Sequence, residues 1–251
     1  MQIRSYDKIE VKIYETREEM GFHAAADAAS CIKRLLEDRK EITCMFAAAP
    51  SQNEFLEALA EYPDIDWSRI NACHMDEYIG FEIGDPHSFN GYLSGKIFGK
   101  VPFKSVNLIN GKNDPQKECI RYEKLLREHQ LDIIFLGIGE NGHIAFNDPD
   151  NAGFQDTCWM KVVELDAACR RQQVNDGCFP SFDEVPQYAL TATIPCLMGG
   201  SHLFCMVPGQ RKAAAVRRTL TGPIDEKCPA SIMRGHENVV MYLDDKSAED
   251  L

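Results

Sequence analysis

Several kinds of feature are missing from this 251-residue chain. It has no run of 18 apolar residues, so no membrane-spanning helix is expected. Its first residues, MQIRSYDKIEVKIYE, lack the apolar centre of a secretory signal. Positive charge is short: 27 Lys and Arg against 39 Asp and Glu leave a formal charge of −12, which argues against general nucleic-acid binding. An anionic ligand would have to be held by local cations or backbone amides. The ten cysteines form no CxxC pair and show no metal-like spacing. They read as reduced thiols of a cytoplasmic protein, not as a disulfide framework. No internal repeat or low-complexity linker divides the chain, so residues 1–251 read as one domain. A hydrophobic content of 44% suffices for a sizeable core.

What is present alternates between strand and helix signals. Strands are predicted at Ile9–Tyr14, Glu41–Ala47, Ile70–Met75, Ser105–Ile109, Leu131–Leu136, Met160–Leu165, Tyr188–Thr193, Leu203–Val207 and Val239–Leu243. Thr16 and Glu19 form a capping-box pattern opening a helix to Arg39. Ser51 and Glu54 form a second, for a helix ending near Tyr62-Pro63. Asp114-Pro115 opens a helix to about Gln130, and Gln210–Leu220 reads as another. Such alternation predicts an α/β fold, a mostly parallel sheet with helices on both faces. Phe81–Val101 and Asp148–Met160, rich in Gly, Pro, Asn and Asp, read as long loops of the kind that carry function.

The most informative stretch is FLGIGENGHIAFNDP, Phe135 to Pro149. An apolar strand breaks into Gly137, Gly139 and Gly142, and Asn141, His143 and Asp148 follow. Glycines allow a sharp turn and close approach to a ligand. Ligands of open α/β sheets bind just past strand ends. A histidine titrates near neutral pH, and a carboxylate five residues on can orient it. Three other polar clusters leave strands: Ala47–Ser51, Asp76-Glu77-Tyr78 and Pro208–Lys212. In a parallel sheet the four would share one edge and line one pocket. Lys212, in the first turn after Gly209, would stand where anions are attracted. His87 reads as surface decoration, and His74 as a hydrogen-bonded core residue.

The segments MDEYIGF (Met75–Phe81), GIGENGHIAFNDP (Gly137–Pro149), EVPQYALT (Glu184–Thr191) and that around Lys212, in this order, resemble glucosamine-6-phosphate deaminases (isomerases). CPASIMRGHENVVMYLD resembles the C-terminal end of the same group. The likeness runs from about residue 10 to residue 245. The related 6-phosphogluconolactonases share the Gly-x-Gly-x-x-Gly-His turn but not the AFN-acid-Pro continuation. The resemblance implies opening of an amino sugar phosphate ring, proton movement between C1 and C2, and release of ammonia. It assigns Asp76 as the proton-shuttling base, His143 as the ring-opening group, and Asn141 and Asp148 as its partners. It implies no metal and no cofactor, and a small-molecule sugar phosphate as the partner. Family members often form oligomers, so a homo-oligomer is admitted, although no exposed stripe marks one.

Three departures stand out. Asp148 replaces the Glu common in the family, shorter by one methylene. Asn141 stands where several members carry Asp. The Gly/Ser/Thr-rich turn that cradles phosphate is AAAPSQNEF here, so a glycine-type nest is not expected at Ala47–Ser51. Ser51, Lys212, and Arg170 and Arg171 of CRRQQVNDG are the candidate phosphate-binding residues. Two other readings remain open: a lactone hydrolase of the same fold, in which Asp76 would be dispensable, and a non-catalytic sugar-phosphate-binding protein.

Overall fold

The computed structural model describes residues 1–251. It is built on an eight-stranded sheet. In chain order its strands are β1 (Gln2–Tyr6), β2 (Ile9–Tyr14), β3 (Ile42–Phe46), β4 (Ile70–His74), β6 (Ser105–Asn107), β7 (Ile133–Leu136), β10 (His202–Val207) and β11 (Val239–Asp244). Side by side they run β1-β2-β11-β10-β7-β3-β4-β6. All neighbours are parallel except β1 with β2. Every residue of β3, β4 and β7 is buried, as expected of strands covered on both faces. β1 was not foreseen. Its residues are exposed or half-buried, so it carries little of the periodicity that marks a strand.

Helices cover both faces. α1 (Arg17–Asp38) and α2 (Asn53–Ala60) pack with Ile42, Cys44 and Phe46 into one apolar layer. α4 (Pro115–Glu128), α6 (Ile194–Met198) and α7 (Ala213–Thr221) join Met45 and Ile134 in the other. Alternate residues of β3 thus feed opposite layers, as strand pleating requires. Thr16 caps α1 by accepting from the Glu19 N–H, and Asp114 caps α4 by accepting from Lys117.

The second capping box does not form. Pro50–Gln52 is already a 3-10 turn, which puts Ser51 one residue inside the helical segment. Ser51 accepts instead from Gln52 Nε2, and Glu54 pairs with Arg17. The loop expected at Phe81–Val101 holds α3 (Phe89–Leu93) and a π-helical turn, Ser94–Phe98.

Three strands leave the main sheet. β5 (Asp76–Tyr78), β9 (Tyr188–Ala192) and β8 (Met160–Glu164) form a separate antiparallel sheet, ordered β5-β9-β8. Strand–helix alternation predicts β8 and β9 within the parallel sheet, but they pair antiparallel to each other outside it. Between β8 and β9 lies α5 (Ala167–Asn175), capped by Asp166, which periodicity did not reveal.

The strand order explains where a crevice must open. From β3 the chain moves outward one way through β4 and β6. It then returns to the other side of β3 through β7, β10 and β11. β3 and β7 are therefore neighbours whose connections depart in opposite directions, the topological switch point of an open α/β sheet.

Candidate active site

A cleft lies at that switch point. Its lining brings together Ala47, Ala48, Ala49, Ser51 and Gln52 after β3, Asp76 at the start of β5, Gly137, Ile138, Gly139 and His143 after β7, and Lys212 after β10. The four clusters expected at one sheet edge thus meet in one place. Gln172 and Gln173 of α5 complete the wall.

Asp76 is 6% exposed, and no hydrogen bond reaches its carboxylate. Burial pushes its pKa well above the ordinary carboxylate value, and the charge of Glu77 pushes the same way. A carboxylate kept this basic suits proton abstraction. Glu77, next on the strand, points away. Its oxygens accept from the N–H groups of Tyr78, Phe89 and Asn90 and from Asn90 Nδ2, all at 2.7–2.9 Å. Burial still raises its pKa, although all these hydrogen bonds oppose the shift.

His143 owes its position to the glycine turn. A Cβ on Gly139 would run into the His143 ring, and Gly142 has φ +94°, a value that side-chain-bearing residues rarely adopt. Nδ1 of His143 lies 2.9 Å from Asp148 Oδ1. The two groups are in contact, but Nδ1 is not aligned for a hydrogen bond. Asn141 braces the pair: its Oδ1 accepts from the His143 N–H, and its Nδ2 donates to Asp148 Oδ1 and to Asp166 Oδ2. Asp148 Oδ2 accepts from the Asp166 N–H. Burial alone would raise the Asp148 pKa. The His143 contact, then Asn141 and the Asp166 N–H, outweigh it and hold the carboxyl below its usual range. A shorter carboxylate than the family's Glu therefore still reaches the histidine.

Lys212 is 7% exposed, and its ammonium forms no ion pair or hydrogen bond. Burial lowers its pKa, against the opposing charges of Asp176 and Glu140. An unpaired buried ammonium is costly, and an anion in the cleft would offset that cost. The N–H groups of Ala48, Ala49 and Ser51 donate to nothing in the chain. The alanine turn thus presents free donors without a glycine nest.

Arg170 and Arg171 lie outside the cleft lining. Arg170 donates to the Phe182 and Val185 carbonyls and stacks on the Phe182 ring, 4.1 Å from its centroid. Arg171 is exposed and faces the same ring. They stand on the outer side of α5, whose buried face is Cys169, Gln172 and Gln173. That face is polar, so no apolar stripe announced it. His74 is fully buried; its Nδ1 meets the Asp76 carbonyl and its Nε2 accepts from the Ile109 N–H. Burial lowers its pKa to about 4, so it is a neutral core residue. His87 is exposed beside Asp85.

Asp166 and Cys169 were not foreseen. Asp166 precedes α5 as a capping residue would, which was the available signal. Donor atoms of Cys169, His143 and Asp148 all lie within 4.8 Å of one another.

Comparison with known proteins shows the family and the fold. A family model described as glucosamine-6-phosphate isomerases/6-phosphogluconolactonase matches residues 15–241. A glucosamine-6-phosphate deaminase of Listeria welshimeri is 35% identical over 209 residues, 83% of this chain and 87% of that protein. One from Streptococcus equi subsp. zooepidemicus is 34% identical over 189 residues, 75% of this chain and 79% of its own. A solved monomeric glucosamine-6-phosphate deaminase superimposes with a TM-score of 0.86 at 31% identity, covering 96% of this chain and 99% of that one. A 6-phosphogluconolactonase from Trypanosoma brucei shares the fold, with a TM-score of 0.82 at 15% identity, covering 98% of this chain and all of its own. No helix is long and apolar enough to cross a membrane. The chain belongs to the glucosamine-6-phosphate isomerase/6-phosphogluconolactonase family of enzymes.

Proposed function

We propose that the protein is an amino-sugar-phosphate isomerase/deaminase acting on glucosamine 6-phosphate or a close analogue. The observation that carries this reading is Asp76, a buried, unpaired carboxylate with a raised pKa, lining the same cleft as the braced His143–Asp148 pair. A lactone hydrolase needs a group that activates water, and His143 alone would suffice. An isomerase also needs a base that takes a proton from one carbon and returns it to the next. Asp76 has the basicity for that task and no other visible role.

In this reading His143 moves the proton that opens the sugar ring, with Asp148 setting its tautomer and stabilising its charge. Asp76 removes the C2 proton of the open-chain aldehyde and delivers it to C1. The C2 amine becomes an imine, which water hydrolyses to a ketone with release of ammonia. Lys212, the Ser51 hydroxyl and the free N–H groups of Ala48, Ala49 and Ser51 hold the phosphate. Asn141 positions both His143 and Asp148.

The test is ammonia release from glucosamine 6-phosphate and galactosamine 6-phosphate, run beside hydrolysis of 6-phosphogluconolactone. Turnover of an amino sugar phosphate supports the reading. Lactone hydrolysis without ammonia release replaces it with the lactonase. Binding without turnover of any of the three replaces it with a sugar-phosphate-binding protein.

A further inference from the structure

The cleft has one cation, Lys212, yet α5 turns two glutamines into its wall. Gln172 is 6% exposed and Gln173 7%. A buried amide is costly unless its hydrogen bonds are made. Gln172 makes them: its Oε1 accepts from the Glu140 N–H at 2.8 Å, and its Nε2 donates to Asp176 Oδ2 at 3.3 Å. It ties α5 to the glycine turn. The side chain of Gln173 has no partner within the chain and borders the cleft. A second amide nearby is also incomplete. Gln52 Nε2 donates to Ser51 Oγ and to the Met206 carbonyl, while its buried Oε1 accepts nothing.

Gln173 and Lys212 line the same cleft. Cys169, one helical turn before Gln173, is buried on the same side of α5 as Gln172 and Gln173. Arg211, next to Lys212, donates to the Asn175 carbonyl at the end of α5. The segment that carries Lys212 is thus tied to the end of α5, and the inward face of that helix shares the cleft with Lys212.

We infer that Gln173 is a specificity-determining residue that donates its amide N–H to the anionic head group of the substrate, beside Lys212. The inference rests on the sugar-phosphate reading and refines it. The head group is held by one cation and neutral donors, with the Gln52 oxygen left for a substrate hydroxyl or a protonated phosphate oxygen. A site of this kind takes a compact anion carrying a hydrogen-bond-rich sugar.

The experiment compares Gln173→Ala and the isosteric Gln173→Glu with wild type. Calorimetric titration with inorganic phosphate reads the head-group site without turnover, and kinetics with glucosamine 6-phosphate give KM and kcat separately. Gln173→Ala is expected to weaken phosphate and raise KM roughly 10-fold, as for a lost hydrogen bond to a charged group, with kcat within about threefold. Gln173→Glu is expected to be worse, roughly 100-fold or more, because a buried like charge faces the phosphate. If Gln173→Glu binds phosphate as well as Gln173→Ala, the residue touches no anion and the inference fails. Unchanged affinity in both variants overturns it too, as does a loss confined to kcat. If wild type binds phosphate but deaminates nothing, the deaminase reading falls, while the titrations still decide the role of Gln173.

Discussion

Asp76 and Glu77 are neighbours on one short strand, and their carboxylates have opposite surroundings. Glu77 is saturated by four donors, three of them at the start of α3, while Asp76 meets no donor and borders the cleft. Strand alternation separates them: one carboxylate holds the wall and the other is left for chemistry.

Asp76→Asn is therefore expected to lower kcat by roughly 100-fold or more, the usual effect of removing a general base. Because the base acts only when ionised, kcat/KM of wild type should rise with pH through an acidic limb well above the ordinary aspartate value of about 3.9. A pH–rate profile already flat at pH 5 would remove Asp76 from this role. The stability effect has the opposite sign. A carboxyl whose folded pKa is raised stabilises the fold less as pH rises from its unfolded to its folded value. At neutral pH the Asn variant should melt at or above the wild-type temperature, and a lower Tm would contradict the burial argument.

His143 and Asp148 are expected to act as one unit. Asp148 has a lowered pKa through its contacts with His143, Asn141 and the Asp166 N–H, despite burial. His143→Gln and Asp148→Asn should each cost most of the activity, and the double variant little more than either alone. Losses that multiply would show two independent roles. The same lowered pKa gives stability that is present at neutral pH and is lost as pH falls from about 4 through the folded value. Asp148→Asn should flatten that part of an acid-unfolding curve.

How far the sequence revealed this architecture depends on what each element packs against. β3 and β7 were legible because strands buried on both faces are largely apolar runs. The ends of α1 and α4 were legible because their caps act locally. β5 was hidden because its partner strand, β9, lies more than a hundred residues away, and three residues carry no period of their own. α5 was visible only as the phrase CRRQQVNDG. Its arginines suggested cations, but the helix turns Gln172 and Gln173 inward and leaves Arg170 and Arg171 on Phe182. Asp76, His143 and Lys212 were expected at one cleft because strand-end clusters converge at one edge of a parallel sheet, and all three line it. The bracing role of Asp166 was not legible, since it depends on a contact between separate loops.

Gly139 offers a test of positioning by a residue with no chemistry. A methyl group there would strike the His143 ring, which would have to swing off Asp148. Gly139→Ala is expected to cost roughly 100-fold in kcat, since displacements of about 1 Å can cost that much. Phosphate affinity should change little, because Lys212 and the Ala48–Ser51 turn are untouched. A variant with full activity would mean that the ring need not rest on the Gly139 backbone.

Lys212 carries the last expectation. Its ammonium is buried, unpaired and lowered in pKa by that burial. A bound phosphate would give it a partner through a charge-assisted contact worth roughly 1.5–3 kcal/mol. Lys212→Ala should raise KM for glucosamine 6-phosphate roughly 10- to 150-fold and leave binding of unphosphorylated glucosamine nearly unchanged. The pH dependence follows the same logic. Only the protonated amine attracts phosphate, so affinity should fall as pH rises through a value below the usual lysine pKa of about 10.4, and Lys212→Ala should erase that fall. In a crystal soaked with sulfate, the ion should lie between Lys212 and the N–H groups of Ala48, Ala49 and Ser51. Equal weakening of phosphorylated and unphosphorylated ligands, or an ion bound elsewhere, would separate Lys212 from the phosphate and reopen the substrate class while leaving the family assignment intact.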